Sequence, residues 1–75
     1  MKIDRLREIR EDKDLFQKDI ANFLKITQVQ YSRYETGVRS IPIYHLVKLA
    51  EFYNTSVDYL LGLTDERKAY PKSII

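Results

Sequence analysis

Apolar residues return every three or four positions along this chain, in five short runs. Ile3, Leu6 and Ile9 form the first stripe, within residues 2–12, with charged positions between them. Arg10 lies beside that stripe. The second run opens near Asp14, where "DLFQ" reads as an Asp cap answered by Gln17 three residues on. Phe16, Ile20, Phe23 and Leu24 then form its apolar side, and small Ala21 leaves room for another helix. That run should stop near Lys25. A third run starts at Thr27, a good N-cap residue, and ends before Gly37, a good C′ residue. The fourth follows Pro42, whose missing N–H costs nothing at a helix start. Leu46, Leu49, Ala50 and Tyr53 make its buried side, with Ile43 and Val47 beside it and Asn54 as the stop. In the fifth, Ser56 caps, Asp58 suits the first-turn dipole, and Tyr59, Leu60 and Leu61 supply apolar surface up to Gly62.

The pattern therefore predicts helices throughout. With two glycines, two prolines and no period-two runs, the chain reads as all-α. Lys25 and Ile26 alone separate the second run from the third. Two short helices joined so tightly form a helix-turn-helix.

The third run does not spend all its sides on a core. Placed on a helical wheel, Gln28, Ser32, Thr36, Val29 and Arg33 follow one another, in that order, around a single arc. Tyr34 and Tyr31 fall together on the opposite arc, so the tyrosines mark the core side. Gln30 stands at the margin. The other side carries residues that suit base edges in the DNA major groove. A Gln amide pairs with adenine N6 and N7, an Arg fork with guanine O6 and N7, and Val packs on a thymine methyl. An exposed valine on a short helix otherwise lowers helix propensity for no packing return.

Charge supports that side. The chain has 13 basic and 11 acidic residues. Asp4, Glu8, Glu11, Asp12, Asp14 and Asp19 crowd its N-terminal part. From Lys25 to Lys48 there are four basic residues and one acidic residue, Glu35. If Glu35 has an internal partner, this segment is a basic surface around an open helix side.

At 75 residues the chain reads as one domain, small enough that most apolar residues must serve the core. It has no cysteine, hence no disulfide framework and no Cys-based metal site. No run of 18 apolar residues occurs, so no membrane span is expected. The start "MKIDRLREIR" is not a signal peptide, and a cytoplasmic location is expected. Catalysis is not expected either. The single histidine, His45, has no evident acid partner and is read as a surface residue. Neither a Gly-rich phosphate loop nor a nucleophile motif occurs. No metal, cofactor or small-molecule ligand is predicted.

Taken in order, these marks resemble the phage-repressor-like helix-turn-helix proteins of the Cro/Xre type. They are Gln17 opening the second helix, "IA" at Ile20 and Ala21, "IT" at Ile26 and Thr27, "SRYETG" from Ser32, and "SVDYLLG" from Ser56. The resemblance implies a compact five-helix, lambda-repressor-like bundle over residues 1–62, with the helix-turn-helix formed by helices 2 and 3. It implies a DNA-binding regulator, a repressor, that acts as a homodimer on a two-fold operator of double-stranded DNA. Gln28, Val29, Ser32 and Arg33 would face bases. Gln17, Lys18, Lys25, Thr27, Arg39 and Ser40 would hold the DNA backbone. Arg10 and Glu35 would form a structural ion pair.

Three positions depart from the usual pattern. Phe16 replaces a small polar cap, which moves the expected cap to Asp14 and starts the second helix early. Lys25 replaces the turn glycine, at a cost of order 1 kcal/mol if it is left-handed. Tyr31 is larger than the usual aliphatic residue. The charged segment 63–75 has apolar points at Leu63, Tyr70, Ile74 and Ile75, and reads as a frayed terminus or a dimerisation arm. In the second case Tyr59, Leu63 and Tyr70 would lie exposed. The rival reading is an antitoxin or interaction module whose main task is a protein partner.

Overall fold

Residues 3–69 are described by the computed structural model. Each apolar run becomes a helix: α1 Asp4–Asp12, α2 Gln17–Leu24, α3 Gln28–Thr36, α4 Ile43–Phe52 and α5 Val57–Leu60. No strand occurs among the described residues. Leu6 and Ile9 of α1, Ile20 of α2, Tyr31 of α3, Leu49 of α4 and Leu60 of α5 are fully enclosed, so every helix feeds one core. Burying a side chain of this size contributes about 1.5–3 kcal/mol.

The helix boundaries follow local chemistry. Ser56 Oγ accepts the Tyr59 N–H at 3.0 Å and starts α5. Pro42 stands at the N-cap of α4, where its carbonyl accepts the N–H groups of His45 and Leu46 at 3.0 and 3.1 Å. Asn54 and Gly62 take left-handed conformations just after α4 and α5, as stops do.

Several sequence expectations change. Asp14 does not cap α2. It is itself left-handed, with φ 56°, in the turn that leaves α1. The N-cap is Phe16, whose N–H donates to Asp19 Oδ2 at 2.8 Å. Phenylalanine has no acceptor to return, so Asp19 caps alone from inside the first turn, and α2 begins at Gln17. Phe16 consequently points to solvent. Phe23 is partly exposed and stacks on Phe52 with ring centroids 4.6 Å apart. Ile43 and Val47 are also exposed, because the α4 core side is filled by His45, Leu46, Leu49 and Ala50.

His45 is not a surface residue. It is 7% exposed, with rings of Tyr44 and Tyr34 at 4.5 and 6.0 Å and no hydrogen-bond partner for Nδ1. Burial, and then Lys48, push its pKa down, which favours the neutral imidazole.

Tyr59 is buried rather than exposed. The guanidiniums of Arg5 and Arg67 lie over its ring at 4.2 and 5.4 Å. Residues 63–69 run back along the bundle as a strap. Arg5 donates to the Thr64 carbonyl at 3.1 Å and to Asp65 at 2.7 Å. Arg67 donates to Tyr59 Oη at 3.1 Å and to Asp12 at 2.8 Å. Thr55 Oγ1 donates to the Arg67 carbonyl. Leu63 remains exposed. Tyr70, Ile74 and Ile75, the other apolar points of the tail, lie outside the described residues.

Candidate nucleic-acid interface

The turn that sets α3 against α2 is short because Lys25 takes φ 59° and ψ 42°. The Ile26 N–H then returns to the Ala21 carbonyl at 3.0 Å. Thr27 opens α3 with a reciprocal cap. Its Oγ1 accepts the Gln30 N–H at 3.1 Å, and Gln30 Oε1 accepts the Thr27 N–H at 3.0 Å. Gln30 therefore belongs to the helix start, a role that its marginal place on the helical wheel did not suggest. At the other end Gly37 has φ 82°, and the Arg39 N–H bonds the Arg33 carbonyl at 3.1 Å.

So framed, α3 is two-sided. Tyr31 and Glu35 are buried, and Tyr34 is half-buried against them. Gln28, Val29, Arg33 and Thr36 are exposed, and Ser32 is half-exposed on the same side. Val29 keeps 61% of its surface open. Lys18, Lys25, Thr27, Arg39 and Ser40 are exposed around this side, although the Thr27 hydroxyl is engaged in the cap. Lys25, Arg33 and Arg39 meet no carboxylate among the described residues, so their charge faces outward.

Behind the open side lies a buried polar joint. Arg10 Nε donates to Glu35 Oε2 at 2.7 Å, and Arg10 Nη2 donates to Glu35 Oε1 at 3.0 Å. Arg10 Nη1 also donates to the Leu15 carbonyl at 2.8 Å. Gln17 Nε2 donates to Glu35 Oε1 at 3.2 Å. One carboxylate thus ties α1, α2 and α3 together and removes the lone acid from the basic surface. Burial pushes the Glu35 carboxyl up, but hydrogen bonds led by Arg10 outweigh it and hold the group below its usual range. The same bond raises the Arg10 guanidinium above its ordinary value.

Sequence comparison places this geometry. A helix-turn-helix family profile matches residues 6–60, from the α1 core residue Leu6 to Leu60 of α5. The chain belongs to the helix-turn-helix family. It is similar to the uncharacterized HTH-type transcriptional regulator YobD of Bacillus subtilis, 40% identical over 83% of this chain and 55% of that protein. The HTH-type transcriptional regulator AnsR of the same organism is 34% identical over 99% of this chain and 64% of its own length. The cryptic phage CTXphi transcriptional repressor RstR of Vibrio cholerae is 32% identical over 77% of this chain and 52% of its own. The chain thus spans between half and two thirds of the length of these curated relatives. No solved structure matches at the same stringency. The resemblance to phage-repressor-like proteins, drawn from residues 3–62, agrees with the family and with a phage repressor among the relatives.

Among the described residues, no cluster of three His, Asp or Glu could hold a metal ion, and no helix is long and apolar enough to cross a membrane.

Proposed function

We propose that this helix-turn-helix chain is the DNA-binding unit of a transcriptional regulator, a repressor, that reads the major groove with α3. The observation that carries this is the two-sided character of α3. Tyr31 and Glu35 fix one side in the core, while Gln28, Val29, Ser32 and Arg33 stand together on the other. These four are the base readers. Lys18, Lys25, Thr27, Arg39 and Ser40 surround them as backbone contacts, and phosphate contacts set the register. Gln17 joins that set through the amide hydrogen that Glu35 leaves free.

One such unit offers few base contacts. A homodimer that reads half-sites about 34–36 Å apart, one helical turn of DNA, doubles them. The work belongs in the cytoplasm, with access to the genome. Selection from a random duplex pool, with Gln28→Ala/Arg33→Ala beside the wild type, tests the whole reading. Enrichment of a two-fold motif that the double variant loses is the expected result. A folded wild type that enriches nothing at moderate salt would reject it.

A second reading, an antitoxin-like or other protein-binding role, has one observation in its favour. Exposed Val47 borders a cavity of about 280 Å³ lined also by Ala50, Glu51, Asn54, Val57 and Ala69, none of them on α3. Pull-down with a Val47→Asp variant as control separates this role, which does not exclude the first.

A further inference from the structure

A small cavity of about 160 Å³ lies between the later part of α3 and the loop that follows it, lined by Gln30, Arg33, Tyr34 and Arg39. Each of these side chains brings hydrogen-bond donors, and none is acidic. The Gln30 amide is oriented by its own cap. Because Oε1 accepts from Thr27, the Nε2 donors are the free end. The Tyr34 ring is held edge-on to Tyr31, with centroids 6.5 Å apart, and against His45. The Arg39 backbone is fixed by its bond to the Arg33 carbonyl. Neither arginine meets a carboxylate among the described residues. Arg33 stands where the cavity meets the base-facing side, and its five donors can serve a base edge while its charge still covers the cavity mouth.

A concave site built from donors, with two unpaired cations, suits a tetrahedral anion with several acceptor oxygens. We propose that this cavity seats one phosphodiester group of the DNA backbone, with Arg39, the Tyr34 hydroxyl and the Gln30 amide as its donors. The proposal rests on the DNA-binding reading and adds Gln30 and Tyr34, which that reading leaves without a role toward DNA. A phosphate held in a cavity is fixed more closely in position than one met by a mobile surface lysine.

The test uses the full chain and the duplex recovered by selection, with single linkages replaced in turn by uncharged methylphosphonates. One linkage per half-site should weaken wild-type binding roughly tenfold, as expected for a charge-assisted contact. Tyr34→Phe and Arg39→Ala should bind native DNA more weakly but lose little further at that linkage. If both variants lose the same factor as wild type at every linkage, the cavity holds no phosphate and the proposal fails, while DNA binding itself stands. If the folded chain binds no duplex, the DNA reading fails and takes this proposal with it. A parallel titration with inorganic phosphate, followed by Tyr34 ring resonances, identifies the remaining case. Saturable shifts without any coupling to a DNA linkage would make this a free-anion site and would also overturn the proposal.

Discussion

Glu35 Oε1 accepts from both Arg10 Nη2 and Gln17 Nε2, at 3.0 and 3.2 Å, so one buried oxygen serves α1 and α2 at once. Its second oxygen is taken by Arg10 Nε at 2.7 Å. The pair is therefore bidentate and enclosed. Removing either partner leaves a buried charge alone.

Arg10→Ala and Glu35→Ala should each lower stability by about 3–5 kcal/mol in urea unfolding, since breaking a buried pair exposes the desolvation cost of the survivor. The apolar double variant Arg10→Met/Glu35→Leu should cost clearly less than the sum. Additive losses would show that the two residues do not act as a pair.

Arg33→Ala should weaken operator binding by about 1–3 kcal/mol and relax preference at one base pair. Competition binding against operators altered singly at each position measures it. An equal loss on every duplex would remove Arg33 from base reading.

For Arg39→Ala the signature is different. Binding to all duplexes should weaken alike, and the slope of log affinity against log salt should flatten by about one unit, the share of one phosphate contact. Filter binding over a salt series gives the slope directly.

His45 makes stability depend on pH in the neutral-to-acid range. Its folded pKa lies below the ordinary 6.5, so the unfolded chain takes up the proton first as pH falls. Stability should be full above about pH 6.5 and decline as pH drops below it, because ∂ΔG/∂pH is positive wherever the unfolded state binds more protons. Glu35 adds a loss of the same sign nearer the carboxylate range. The variant His45→Phe should flatten the upper limb and leave the lower one in place, as read from urea midpoints at several pH values.

Deleting residues 63–75 should lower stability by about 1–3 kcal/mol, as a few partly exposed hydrogen bonds and the cover over Tyr59 are lost. Ending the chain at Ala69 instead should preserve most of it. Equal stability of the two truncations would show that the strap contributes nothing.

The helices were readable because their start and stop signals are local. Thr27, Ser56, Gly37 and Gly62 each act within a few residues of themselves, and the tyrosines of α3 fall on the inner side that helical spacing assigns them. The family marks also pointed to the joining of Arg10 and Glu35, which are 25 positions apart. What escaped the sequence depends on packing between distant segments. His45 looked like a polar surface residue because nothing near it in the chain announces that α3 brings the ring of Tyr34 against it. The strap escaped for the same reason, since Arg5 meets Asp65 across 60 positions and a charged run reads as solvated. Asp14 misled because it fits a capping pattern, whereas Asp19 caps from within the helix.

The bond from Gln17 to Glu35 has an entropic consequence for recognition. A glutamine fixed from free rotation gives up roughly 1.5–2 kcal/mol of rotamer freedom. Here much of that loss falls on folding, when the buried carboxylate takes one amide hydrogen and aims the other outward. A phosphate arriving at the start of α2 would then meet a donor already at its post, and association would be spared the ordering of that side chain.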